Sequence, residues 1–192
     1  MAKKFLLALS IALAGCSTIP LTSIPRLMRI NFLTTDIAKV RIALSVPASF
    51  GLLLPPAYFR YTYKFEGEDE HHEDIPLEET SAPADLQDIP QDWPEGSTLH
   101  VFLMPPDSAE RLTKLRSDEG QRAKTEKKKS NFTVGIKGNF CKVSQPPDGP
   151  ILTTTYVLTS ETETWTTFTR NLDVREQKGA EDIMARLEAC PK

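Results

Sequence analysis

The stretch Tyr58-Phe59-Arg60-Tyr61-Thr62-Tyr63-Lys64-Phe65 decides the fold class. Its aromatic residues Phe59, Tyr61, Tyr63 and Phe65 recur at every second position. A β-strand turns successive side chains to opposite faces, so this spacing predicts a strand with one aromatic face. The same period runs through Phe132, Val134 and Ile136 toward Gly138 and Val143, and again through Leu152, Thr154, Tyr156 and Leu158. A polar turn, Glu161 to Thr164, leads into Trp165–Val174, which predicts a hairpin. His100 to Met104 reads as a shorter strand closed by Pro105-Pro106, and Met28, Ile30 and Phe32 alternate as a further one. Val40, Ile42, Leu44 and Val46 fit a strand, with a helix from an Asp36 cap through Ile37, Val40 and Leu44 as the alternative.

Two segments read as helices. Asp107-Ser108-Ala109-Glu110 resembles a capping box ahead of Leu112 and Leu115, with the apolar face lost by Ser117-Asp118-Glu119-Gly120. Near the end, Ala180, Ile183, Met184, Leu187 and Cys190 share about a third of a helical circumference, which turns Cys190 inward. The expected fold class is α+β: an antiparallel β-sheet or sandwich, with a mid-chain helix and a C-terminal helix packed on it.

The chain has 192 residues, 40% hydrophobic and 26% charged, with a formal charge of −3. That length suits one domain able to bury a core without metal. The balance of charge excludes both a wholly disordered chain and a polybasic nucleic-acid binder. The longest apolar run, Phe5 to Ala14, is half of the roughly 20 residues that span a bilayer.

That run follows Lys3-Lys4, the charged-then-apolar layout of a secretory signal. It ends in Leu13-Ala14-Gly15-Cys16, which resembles the lipobox of bacterial lipoproteins. The resemblance implies transfer of diacylglycerol to the Cys16 sulfur, cleavage before Cys16 and acylation of the new amine. Ser17 stands where an aspartate commonly retains Gram-negative lipoproteins at the inner membrane, so the resemblance implies outer-membrane sorting. Ala12-Leu13-Ala14 also fits an A-x-A site, which would release a soluble protein from Gly15. Cysteine parity favours the lipid: lipidated Cys16 leaves Cys141 and Cys190 as an even pair. The expected organisation is therefore a signal over residues 1–15, a lipidated Cys16 and extended tether over 16–27, and one α+β domain over 28–192 with an acidic loop at 66–94.

In an exported chain Cys141 and Cys190 are free to form a disulfide; two separate buried thiols are the alternative. A bond would close a loop of about 50 residues and contribute ~4 kcal/mol. From Glu66 to Asp92 there are eleven acidic residues and no lysine or arginine. Within them, Glu68-Asp69-Glu70-His71-His72-Glu73-Asp74 carries the ligand types of zinc, copper or nickel. Adjacent histidines diverge on a regular strand, so a solvated loop is preferred and His71 and His72 are only candidate ligands. Arg111 to Lys129 carries eight basic residues, suited to anionic headgroups, to an acidic partner or to plain solvation.

Beyond His71 and His72 the chain has only His100, and it shows no G-x-S-x-G, H-E-x-x-H, P-loop or dinucleotide glycine motif. No catalytic residue and no cofactor is assigned. The expectation is a lipid-anchored, non-enzymatic interaction or structural protein of the bacterial envelope. Its partners would be the membrane, through the anchor, and an envelope protein, with no nucleic acid. A metal- or small-ligand-binding lipoprotein using Glu66–Asp74 is the first alternative, and a carboxylate-dependent envelope enzyme the second.

Overall fold

A computed structural model describes residues 18–191. The seven strands are β1 (Arg41–Pro47), β2 (Phe50–Phe65), β3 (His71–Glu79), β4 (Ser97–Leu103), β5 (Ser130–Lys142), β6 (Leu152–Leu158) and β7 (Thr166–Asp173). They form one sheet in the order β5-β2-β3-β4-β1-β6-β7, each pairing antiparallel. The helices are α1 (Ile24–Leu27), α2 (Pro83–Leu86), α3 (Pro106–Glu126) and α4 (Ala180–Arg186). The expected α+β class, antiparallel sheet, mid-chain helix and C-terminal helix are all present.

The sheet consists of two blades. One is β5-β2-β3 and the other β4-β1-β6-β7, and their ladder at the seam is short: Glu78–Leu103 and Glu79–Phe102, continued by the Thr80 amide donating to the Val101 carbonyl. The sheet curls at this seam, so that side chains of both blades share one core. Phe59 and Tyr61 of β2 and Ile75 and Leu77 of β3 pack with Ile42, Leu44 and Val46 of β1 and Phe102 of β4. The aromatic face expected of Tyr58–Phe65 is the inner face, with Phe59, Tyr61 and Phe65 buried. β1 is an interior strand, between β4 and β6, and is buried on both sides. Its other face carries Ala43 in a second cluster with Val101, Tyr156 and Trp165, covered by Ile89 and Trp93.

Four expectations are corrected. First, the acidic loop at 66–94 contains β3, which pairs with β2 from Tyr63–His71 to Ala57–Leu77. Two fully buried apolar side chains, Ile75 and Leu77, fix its register. Gly67, at φ 80°, takes the left-handed turn between the two strands. Second, α3 does not fade at Ser117–Gly120 but continues to Glu126. Its first half is held by buried Ala109 and Leu112, and its second by polar bonds to β2 and the β2–β3 turn.

Third, residues 28–33 are no strand, and the segment from 18 onward is no free tether. Thr18 accepts a hydrogen bond from the Arg170 amide of β7, and successive helical turns then run from Pro20 to Ile30. A 3₁₀ turn, Ile37–Lys39 capped by Asp36, leads into β1, so the strand reading of Val40–Val46 holds. Fourth, α4 stops at Arg186 and leaves Ile183 exposed. Cys190 therefore lies beyond the helix, on an extended piece beside the end of β5, because two backbone bonds to Lys142 draw it out.

Candidate functional site

The segment 18–39 crosses the open side of the curled sheet as a strap. Leu27, Ile30 and Phe32 hang from it over Val40 and Ile42 of β1 and its approach, Phe59 of β2, Val134 and Ile136 of β5, and Phe168 of β7. Between them lies a cavity of about 100 Å³. The lining holds no carboxylate, imidazole or thiol, and Tyr156, which borders it, turns its ring into the second cluster with Ala43, Val101 and Trp165. The Tyr156 hydroxyl donates to Asp92 at 2.5 Å, and burial pushes the phenol far up. Apolar cavities of ~150 Å³ stay dry and take a benzene-sized guest, so this space suits a group of a few carbons.

Arg116 of α3 holds the strap in place. It is 8% exposed, and its guanidinium donates to the Phe32 carbonyl and, through both terminal nitrogens, to the Thr35 carbonyl at 3.2 Å. Burial lowers its pKa, opposed by Tyr61 and Asp36, yet a guanidinium starts so high that it stays charged. A charge removed from water needs such acceptors, so the position of the strap is tied to α3. The fully buried Thr35 adds a bond from its hydroxyl to the Asn31 carbonyl at 2.8 Å.

A polar cluster lies along α3. The Tyr61 hydroxyl donates to Glu119 at 2.6 Å, and burial raises the Glu119 carboxyl above its ordinary range, with Glu73 adding to the rise. The other Glu119 oxygen is buried with no partner. His71 stacks on Tyr63 at 5.4 Å, and Tyr61 lies beside both Tyr63 and Phe132. A raised carboxyl beside an imidazole is the kind of pair acid–base chemistry uses. Here, however, its bonded oxygen already serves a buried phenol.

The acidic segment and the basic run meet each other. Glu68 accepts from Arg122 at 2.5 Å and from Lys128 at 2.6 Å, and Glu73 pairs with Arg111 at 3.4 Å. The Lys128 bond, joined by Arg122, holds the Glu68 carboxyl below its ordinary range. Asp74 is bonded twice by Arg60 at 2.6 Å, which lowers its carboxyl likewise, and Lys137 stands at 3.6 Å. Arg122 also lies 4.4 Å over the Phe65 ring. Two regions that read as separate charged surfaces thus meet at two places, Glu68 with Arg122 and Lys128, and Glu73 with Arg111.

Among the expected site residues, Cys141 and Cys190 are joined (S–S 2.08 Å, Cα–Cα 4.9 Å). Gly51 lies opposite Cys141 on β2, where a Cβ would stand 3.0 Å from the Cys190 sulfur and 3.3 Å from that of Cys141, a tight approach that glycine relieves. Cys16 and its lipobox lie outside the described residues. His71 and His72 start β3 and are exposed, and His100 meets Glu79 at 2.7 Å. Among the described residues no group of three His, Cys, Asp or Glu side chains is placed to hold a metal, and no helix is long and apolar enough to cross a membrane. Taken as tether and strand, the strap gives no sign of the cavity beneath it. The one signal for it in the chain is the helical spacing of Ser23, Leu27 and Ile30.

Comparison of the chain with protein family models, with curated proteins and with solved structures finds no match.

Proposed function

We propose that this chain is a lipid-anchored protein of the bacterial envelope, sorted to the outer membrane, whose domain works by non-covalent interaction rather than catalysis. One observation carries the anchor. Cys141 and Cys190 are bonded to each other, so the third cysteine, Cys16, is left over at the end of an apolar start and behind Leu13-Ala14-Gly15. A thiol in that place is the acceptor a lipid needs, and two or more acyl chains anchor a protein stably. The carbon-walled cavity, bordered by no carboxylate, imidazole or thiol, supports binding over bond-making.

A second reading rests on the cavity itself: the anchored domain holds a small apolar ligand there, in place of a ligand on Glu66–Asp74. One preparation tests both. The full chain is expressed in a Gram-negative host, its washed outer membranes are isolated, and the protein is weighed intact. Acyl groups on an amino-terminal Cys16, and loss of the protein from membranes on Cys16→Ala, are expected. A Cys16→Ala chain that matures and fractionates as before overturns the anchor. Native mass spectrometry of the same protein reads the ligand, as an apolar adduct lost on filling the cavity with Val134→Trp.

A further inference from the structure

We propose that the outward face of the amino-terminal strap beds into an anionic phospholipid surface, so that the β7 edge of the sheet faces the bilayer. This rests on the anchored reading above. The helical turns from Pro20 to Ile30 are closed by Ser23 to Pro20, Leu27 to Ser23, Met28 to Ile24 and Ile30 to Leu27. Such turns place Ser23, Leu27 and Ile30 on one side and Leu21, Ile24 and Met28 on the other. The first set is committed inward, Ser23 buried and the other two lining the cavity. The second set therefore looks out, with Leu21 76% and Met28 80% exposed. A lone exposed apolar residue is ordinary, but a row at helical spacing on a segment fastened at both ends marks a surface that something covers.

Charge and chain position name the cover. Arg29 borders this row and Arg26 stands farther round the same side; both are exposed and form no ion pair among the described residues, whereas Arg41, Arg60, Arg111 and Arg122 each hold a carboxylate. Apolar side chains edged by arginines are the pattern of a segment lying in an anionic membrane interface. The strap also begins at a fixed point. The Arg170 amide of β7 donates to the Thr18 carbonyl at 2.7 Å. Cys16 is two residues upstream, and two residues reach at most about 7 Å. Acyl chains on Cys16 would hold this face, and no distant one, against the lipid.

The test uses the full chain, purified in detergent after maturation and placed in phosphatidylethanolamine–phosphatidylglycerol vesicles with brominated acyl chains. A bimane label is attached through Met28→Cys or, as the control, Val143→Cys. Val143 is 62% exposed and bonded to Ser49, beyond the end of β1 farthest from the cavity. Quenching at position 28 is expected to exceed that at 143 by at least about threefold, since interfacial segments sit within the acyl boundary. Equal quenching at the two positions overturns the proposal. So does an unquenched label at 28 covered by a second copy of the chain, which label self-quenching would show. The intact mass separates the two ideas. If no acyl group is found, the anchor falls alone, and the same labels read with excess vesicles decide the face: quenching at 28 sustains it and none removes it.

Discussion

Both ends of the described chain are fastened back onto the sheet, and they are secured by unlike means. The carboxy-terminal end is stapled by the Cys141–Cys190 bond, with backbone bonds to Lys142 on either side of it. The amino-terminal strap carries no covalent tie within residues 18–39. The Thr18 carbonyl on β7, the Arg116 guanidinium on two carbonyls and three apolar side chains over a cavity hold it. The first closes the structure tightly against Gly51, while the second leaves space beneath it and an apolar face above it. A chain that needed only stability would gain from the same covalent closure at both ends. The end beside Cys16 is the one left separable.

The largest effect should come from the staple. Cys141→Ser with Cys190→Ser removes a constraint on a loop of about 50 residues and should cost ~4 kcal/mol in urea denaturation, with little change in exchange over residues 18–39. A loss below about 1 kcal/mol would mean that the backbone bonds alone hold that end. Next, Arg116→Ala leaves the Phe32 and Thr35 carbonyls without donors and should cost ~3 kcal/mol. Its signature is local: amide exchange should rise across 31–40 and stay unchanged at Cys190. Uniform acceleration would show that the strap is no separate unit.

The smallest effect provides the contrast in pH. Asp74→Asn, away from both ends, should cost ~1 kcal/mol at neutral pH, because the pair with Arg60 is doubly bonded but partly exposed. The Arg60 bond lowers the Asp74 pKa, so its contribution is present above the unfolded value of about 3.9 and fades as pH falls through the lower folded value. Native and variant midpoints should therefore converge in acid. The losses from the other two variants should stay level across neutral pH, since neither a disulfide nor Arg116 titrates there.

The sequence revealed the fold wherever one strand face carried its own signal. The alternation of Phe59 to Phe65, the hairpin at Glu161–Thr164, Leu112 on α3 and the pairing of Cys141 with Cys190 were all legible. β3 was hidden because acidic residues dominate its composition, and only Ile75 and Leu77 carry its alternation. The partners that make those charges tolerable, Arg111, Arg122 and Lys128, come from α3 and the turn after it, far along the chain. The second half of α3 was hidden for the same reason, from the opposite side. In the strap, Met28, Ile30 and Phe32 spell a strand, yet the helical turns prevail because Ser23 and Leu27 also need to face inward. Of the cavity only the inward row of Ser23, Leu27 and Ile30 is legible, since the other walls become neighbours only when the sheet curls.

The seam between β3 and β4 has a mechanical consequence. With two register pairs there, against seven for β1–β4 and seven for β2–β3, the sheet resembles a book with a short spine. Parting its covers breaks few ladder bonds, and the leverage falls on the side where Val134 and Phe168 face each other across the cavity. A guest could thus enter by a flexing of the spine, with every strand inside each cover left intact.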